Sequence, residues 1–86
     1  MTWTIRYARS VQKSLQKLSP PVRQRIKDYL ETRLAQRNNP RTLGKALKGN
    51  DLWRYRVGDF RVICELRDQE LVVLVLRIGD RKTIYR

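Results

Sequence analysis

The densest chemistry in the chain lies in "LWRYRVGDFRVICEL", Leu52 to Leu66, where arginines alternate with bulky apolar residues on both sides of Gly58-Asp59. A two-residue connection with glycine first fits a type II′ hairpin turn, because Gly takes positive φ without penalty. That register sets Val57 opposite Phe60, Arg56 opposite Arg61, Tyr55 opposite Val62 and Arg54 opposite Ile63. Alternation then sends Trp53, Tyr55, Val57, Phe60, Val62, Cys64 and Leu66 to a core face, and Leu52, Arg54, Arg56, Arg61, Ile63 and Glu65 to the other. Like charges directly opposed across a ladder cost roughly 0.2–1 kcal/mol at each pair. Guanidinium groups tolerate such crowding when water or an anion fills their planar forks, and phosphate suits that fork well. Two readings follow: a solvated edge of a basic protein, or a phosphate-binding floor built on rigid strands.

Other chemistry is excluded by what the chain lacks. There is no histidine, which removes Ser-His-Asp and Cys-His arrangements, the imidazole acid and base of ordinary ribonucleases, and zinc sites of Cys/His type. Cys64 is the single cysteine, falls on the core-facing parity and reads as structural. The eight acidic residues are scattered, so no two-metal carboxylate centre is expected, and the four isolated glycines form no phosphate loop. No cofactor or metal is predicted. Chemistry on RNA would rest on Arg, Lys, Tyr and Glu65. Attack by a ribose 2′-hydroxyl needs in-line positioning, stabilisation of phosphorane charge and proton transfer. Tyrosine can stack on a base or shuttle a proton, but is a poor general base unless neighbouring cations depress its pKa.

The elements that must hold these residues belong to one domain spanning residues 1–86, with 41% hydrophobic and 33% charged residues. A net charge of +12 creates a field that attracts polyanions, RNA or DNA phosphate above all. The stretch Leu71 to Ile78, apolar but for Arg77, is far shorter than the roughly 20 residues that cross a bilayer. The N-terminus has no apolar signal region, so a cytoplasmic location is expected and no membrane partner.

Trp3, Ile5 and Tyr7 alternate as in a first strand, after which Ala8, Val11, Leu15 and Leu18 recur at helical spacing. Ser19 is placed to cap a second helix with Pro20 in its first turn, Val22, Ile26, Tyr29, Leu30 and Leu34 as its stripe, and Asn38 to Pro40 as its end. Residues 41–51 read as a basic connection anchored by Leu43 and Leu47. Strands are predicted at about 52–57, 60–66 and 71–78, and a short extended piece from Arg81 to Tyr85. The turn at Arg67 to Glu70 is expected to set Leu66 opposite Leu71. Gly79 is expected to interrupt the alternation of the last strand. The order β-α-α-β-β-β predicts an α+β fold, a helical hairpin packed on a mainly antiparallel sheet.

With the hairpin "W-R-Y-R-x-G-D-F-R", Trp53 to Arg61, and the tail "G-x-R-K-x-x-Y", Gly79 to Tyr85, nearly the whole chain resembles the RelE toxins of the RelE/ParE superfamily. These are the toxin halves of type II toxin–antitoxin pairs, similar in topology to microbial ribonucleases. The resemblance implies a metal-independent endoribonuclease that cleaves mRNA in the ribosomal A site and so inhibits translation. It implies as partners the ribosome with its 16S rRNA, mRNA and a cognate RelB-like antitoxin, with DNA met only indirectly through the toxin–antitoxin complex. By the same resemblance Arg54 and Arg56 contact the scissile phosphate region, Arg61 and Arg81 stabilise the transition state, and Tyr85 orients or stacks on the base. Lys45, Lys48, Lys82 and Arg86 are candidate RNA-binding residues around them. Asp80 stands where many relatives carry histidine and adds a negative charge beside Arg81. Two other functions remain open at this point: a ParE-like inhibitor of DNA gyrase, and a non-catalytic RNA-binding module.

Overall fold

The computed structural model describes residues 2–48 and 51–80. Strand β1, Thr4–Tyr7, leads into helix α1, Arg9–Gln16, and helix α2, Pro20–Asp28. Helix α2 continues without a break into a wider π-helical segment, Tyr29–Leu34, in which the Ala35 N–H reaches back to the Leu30 carbonyl at 3.0 Å. A 3₁₀ turn, Pro40–Leu43, and the two-residue strand β2, Lys45–Ala46, precede β3, Leu52–Val57, β4, Phe60–Arg67, and β5, Val72–Asp80. The five strands form one sheet in the order β1-β5-β4-β3-β2, with β1 parallel to β5 and the rest antiparallel. The α+β class and the helical hairpin on a sheet are as the sequence predicts.

The core lies between the helices and one face of the sheet. Ile26, Leu30 and Leu34 from the second helix meet Tyr55, Val62, Cys64, Val73 and Val75 from the strands, and none retains measurable exposure. Each aliphatic side chain so buried contributes about 1.5–3 kcal/mol of transfer free energy. Trp53 and Phe60 share this face but remain half-buried against the cluster. The Tyr55 hydroxyl, carried into the core, donates to the Pro40 carbonyl at 3.1 Å and so ties the 3₁₀ turn to the centre of the sheet.

The β3–β4 register is the one read from the turn: Arg54↔Ile63, Tyr55↔Val62, Arg56↔Arg61 and Val57↔Phe60 are partners. Gly58 has φ +59° while Asp59 does not enter the positive-φ region, as a type II′ turn requires.

Five local expectations are corrected. Residues 41–51 are more than a connection, because the sheet's free edge at β3 recruits Lys45 and Ala46 as a fifth strand. Leu66 faces Val73, not Leu71. Leu71 sits in the turn at φ 53°, so the paired strand starts one residue later. The alternation of β5 breaks at Leu76, an extra residue between Val75↔Cys64 and Arg77↔Ile63, whereas Gly79 stays in the ladder opposite Arg61. Ser19 occupies the cap position of α2 but its side chain makes no capping hydrogen bond, and the helical run ends at Leu34, ahead of Asn38. Asn39 instead caps the 3₁₀ turn, its Oδ1 accepting from the Arg41 N–H at 3.2 Å. The extended piece predicted from Arg81 to Tyr85 lies outside the described residues.

Candidate nucleic-acid interface

On the face of the sheet away from the helices, two like-charged pairs stand side by side across β3. Arg56 opposes Arg61 on β4, and Arg54 opposes Lys45 on β2. Their side chains wall one cavity of about 260 Å³, completed by Leu43 and Gly44. Among the described residues, four cations and no carboxylate line it. The cluster read from the hairpin is thus a single concavity, to which the unforeseen strand adds Lys45.

The three arginines differ in exposure. Arg61 retains 8% of its surface and forms the inner wall, Arg54 is half-buried, and Arg56 is exposed at the rim. Arg56 Nε reaches the Gly58 carbonyl at 3.5 Å, which bends its side chain toward the hairpin tip. A buried guanidinium beside other cations sits in a setting that favours an anionic ligand, since attraction is screened less there than in open solvent. Room for the floor depends on Gly44: a Cβ there would lie 2.6 Å from Tyr55 Cε1 and 2.9 Å from the Arg54 carbonyl oxygen.

The remaining candidates fall in different places. Glu65 shares the outer face, but its carboxylate accepts from Arg67 Nε at 2.7 Å at the far end of β4. Lys48 is exposed beyond β2 and does not wall the cavity. Strand β5 carries the chain past the floor, with Gly79 opposite Arg61 and Asp80 opposite Phe60. Arg81, Lys82, Tyr85 and Arg86 lie outside the described residues. Cys64 is fully buried and burial pushes its thiol pKa well above the usual range, in keeping with a packing role. Among the described residues no cluster of His, Cys, Asp and Glu is arranged to hold a metal ion, and no helix is long and apolar enough to cross a membrane.

A second, larger cavity of about 640 Å³ opens between the helices and the hairpin tip. Arg25, Tyr29 and Arg33, spaced four residues apart, line it together with Arg56. Neither Arg25 nor Arg33 is among the candidates the sequence offers; their shared i, i+4 spacing with Tyr29 is the signal that groups them.

The model of the ParE toxin of the type II toxin–antitoxin system parDE matches residues 5–85. The chain belongs to this toxin family. No curated protein matches it. Its ParE-family fold is shared with solved RelE toxins. The RelBE2 toxin–antitoxin complex of Mycobacterium tuberculosis aligns with a TM-score of 0.85 at 23% identity, over 94% of this chain and 93% of that one. The archaeal RelE–RelB complex of Pyrococcus horikoshii aligns at 0.66 with 28% identity, over 94% and 97%. Isolated E. coli RelE aligns at 0.72 with 21% identity, over 91% and 83%. At such identities the likeness to the M. tuberculosis and E. coli proteins speaks for the fold. The protein is accordingly a type II toxin of the RelE/ParE superfamily.

Proposed function

We propose that this toxin is a ribosome-dependent endoribonuclease that cleaves mRNA in the A site, with Arg54, Arg56 and Arg61 as its phosphate floor. The observation that carries the reading is the cavity they share with Lys45, where two like-charged cross-strand pairs line one concavity. Opposed like charges work against folding, and an RNA strand laid across them relieves that strain.

In the reaction, the 2′-oxygen forms a bond to the adjacent phosphorus while the bond to the 5′-oxygen breaks, leaving a 2′,3′-cyclic phosphate and a free 5′-hydroxyl. The 2′-hydroxyl gives up a proton and the departing oxygen takes one. The arginines stabilise the charge that gathers on the phosphorane oxygens, a role their fixed forks suit without reorganisation. By the family resemblance, Arg81 adds to that stabilisation and Tyr85 orients the base. Proton transfer falls to the tail and to ribosomal groups. A RelB-like antitoxin neutralises the toxin, a partner that the RelE–RelB complex among the similar structures supports, by setting carboxylates against the same arginines or by displacing the tail. DNA is met only through that complex.

The match to a ParE family favours a second reading, in which the protein binds and inhibits DNA gyrase without nuclease chemistry. Mapping RNA ends and DNA integrity in cells expressing wild type or the Arg61→Ala, Arg81→Ala double variant separates the two. Growth arrest with message cut at defined codon positions, abolished in the variant, is expected. Broken DNA with intact message would favour the second reading.

A further inference from the structure

The π-helical segment and the hairpin tip together build something the floor does not use. Tyr29, Thr32 and Arg33 all lie on the widened turn, and wide turns of this kind recur at functional sites. They face Arg25 and Asp28 from α2, and Arg56 from β3, across the 640 Å³ cavity. Arg33 lies over the Tyr29 ring, 5.4 Å from its centroid. The Arg25 guanidinium lies over the turn, its Cζ 3.5 Å from where a Gly58 Cβ would stand, while Arg56 approaches the same residue's carbonyl. None of Arg25, Arg33 and Arg56 forms an ion pair among the described residues. Arg56 alone walls both this cavity and the floor.

The mixture of groups selects the occupant. Three guanidinium groups suit phosphate, the Tyr29 ring offers a stacking face, and the Thr32 hydroxyl and Asp28 carboxylate can bond ribose hydroxyls. The Asp28 carboxylate already accepts from Gln24 Nε2 at 2.8 Å and keeps a fixed place. An acidic peptide would meet that carboxylate as repulsion; a nucleotide can use it. Burial raises the Tyr29 pKa, so its hydroxyl remains a donor.

We propose that this cavity is a second RNA subsite, holding a nucleotide of the same strand that crosses the arginine floor, with Arg56 as the bridge between them. The inference rests on the ribonuclease reading above and extends the bound strand from the sheet's open face around the hairpin tip to the helices.

The test is binding of single-stranded RNA, from dinucleotide to decamer, to wild type and to the Arg25→Ala, Arg33→Ala double variant, with matched thermal unfolding as a control on folding. Wild-type affinity should rise with length beyond what the floor spans. The variant should bind the dinucleotide as wild type does but lose at least about tenfold on the decamer, as loss of charge-assisted hydrogen bonds predicts. Its log–log salt slope should shrink by about 1.4, two phosphate contacts on a single strand. A decamer with deoxyribose at the distal nucleotides should bind wild type more weakly than all-RNA. Equal decamer affinity in wild type and variant, with dinucleotide binding intact, overturns the second subsite and leaves the floor standing. Failure of wild type to bind RNA of any length overturns both. A polyglutamate peptide whose binding alone depends on Arg25 and Arg33 would assign the cavity to a protein partner and overturn the proposal.

Discussion

Arg56 and Arg61 face each other across the β3–β4 hairpin, and both wall the same cavity. Such a pair opposes folding by roughly 0.2–1 kcal/mol when nothing lies between the two groups. Arg56→Thr, which keeps a good strand former at the position, should therefore stabilise the free protein by that amount and raise Tm by a few degrees. Thermal unfolding with and without phosphate checks the cause. Phosphate should raise the Tm of wild type more than that of the variant, and an equal response would show that the two groups do not share an anion.

Gly44 is required for space, since its φ of −117° is open to any residue. Gly44→Ala would push a methyl against the Tyr55 ring and the Arg54 carbonyl oxygen. Overpacking of this kind costs about 1–3 kcal/mol. Denaturant unfolding should show a lower midpoint at unchanged slope. RNA affinity should fall as well, because the displaced β2–β3 contact carries Lys45 and Arg54.

Cys64 offers a pH test. Burial raises its thiol pKa in the folded state, so the neutral thiol is favoured there; the associated stability is complete below the unfolded value of about 8.5 and is lost as pH rises above it. Stability of wild type should decline on the alkaline side more steeply than that of Cys64→Ala. Thiol-labelling rates should follow global unfolding, and rapid labelling of the native protein would contradict the packing.

Arg41 grips Asp68 with two hydrogen bonds of 2.9 and 2.7 Å, clamping the 3₁₀ turn to the β4–β5 turn. The bonding lowers the Asp68 pKa, so the contribution is present above the ordinary aspartate range and lost as acid protonates the folded carboxyl. The pair is solvent-exposed and its effect is small. Asp68→Asn should lower Tm slightly near neutrality, and the difference from wild type should vanish in strong acid.

The hairpin was legible because glycine at the turn and strict alternation leave one register that buries Tyr55, Val62 and Cys64 together. Arg54, Arg56 and Arg61 came with it, being fixed by parity alone. Two-residue β2 was not legible, since Lys45 and Ala46 have no strand propensity and pair only because β3 presents a free edge. The extra residue at Leu76 was hidden in an all-apolar run where either parity looks buried. Arg25 and Arg33 were invisible as site residues for a different reason. Nothing in a helical stripe tells which part of its polar face will be roofed by a distant hairpin.

The most direct test of the floor is cleavage of message on purified ribosomes by wild type and Arg61→Ala, with matched unfolding profiles. Wild type should cut at defined positions in the A site, and Arg61→Ala should lose at least about a hundredfold in rate, as removal of one group stabilising transition-state charge predicts. Intact message with wild type, or equal cleavage by Arg61→Ala, would contradict the account.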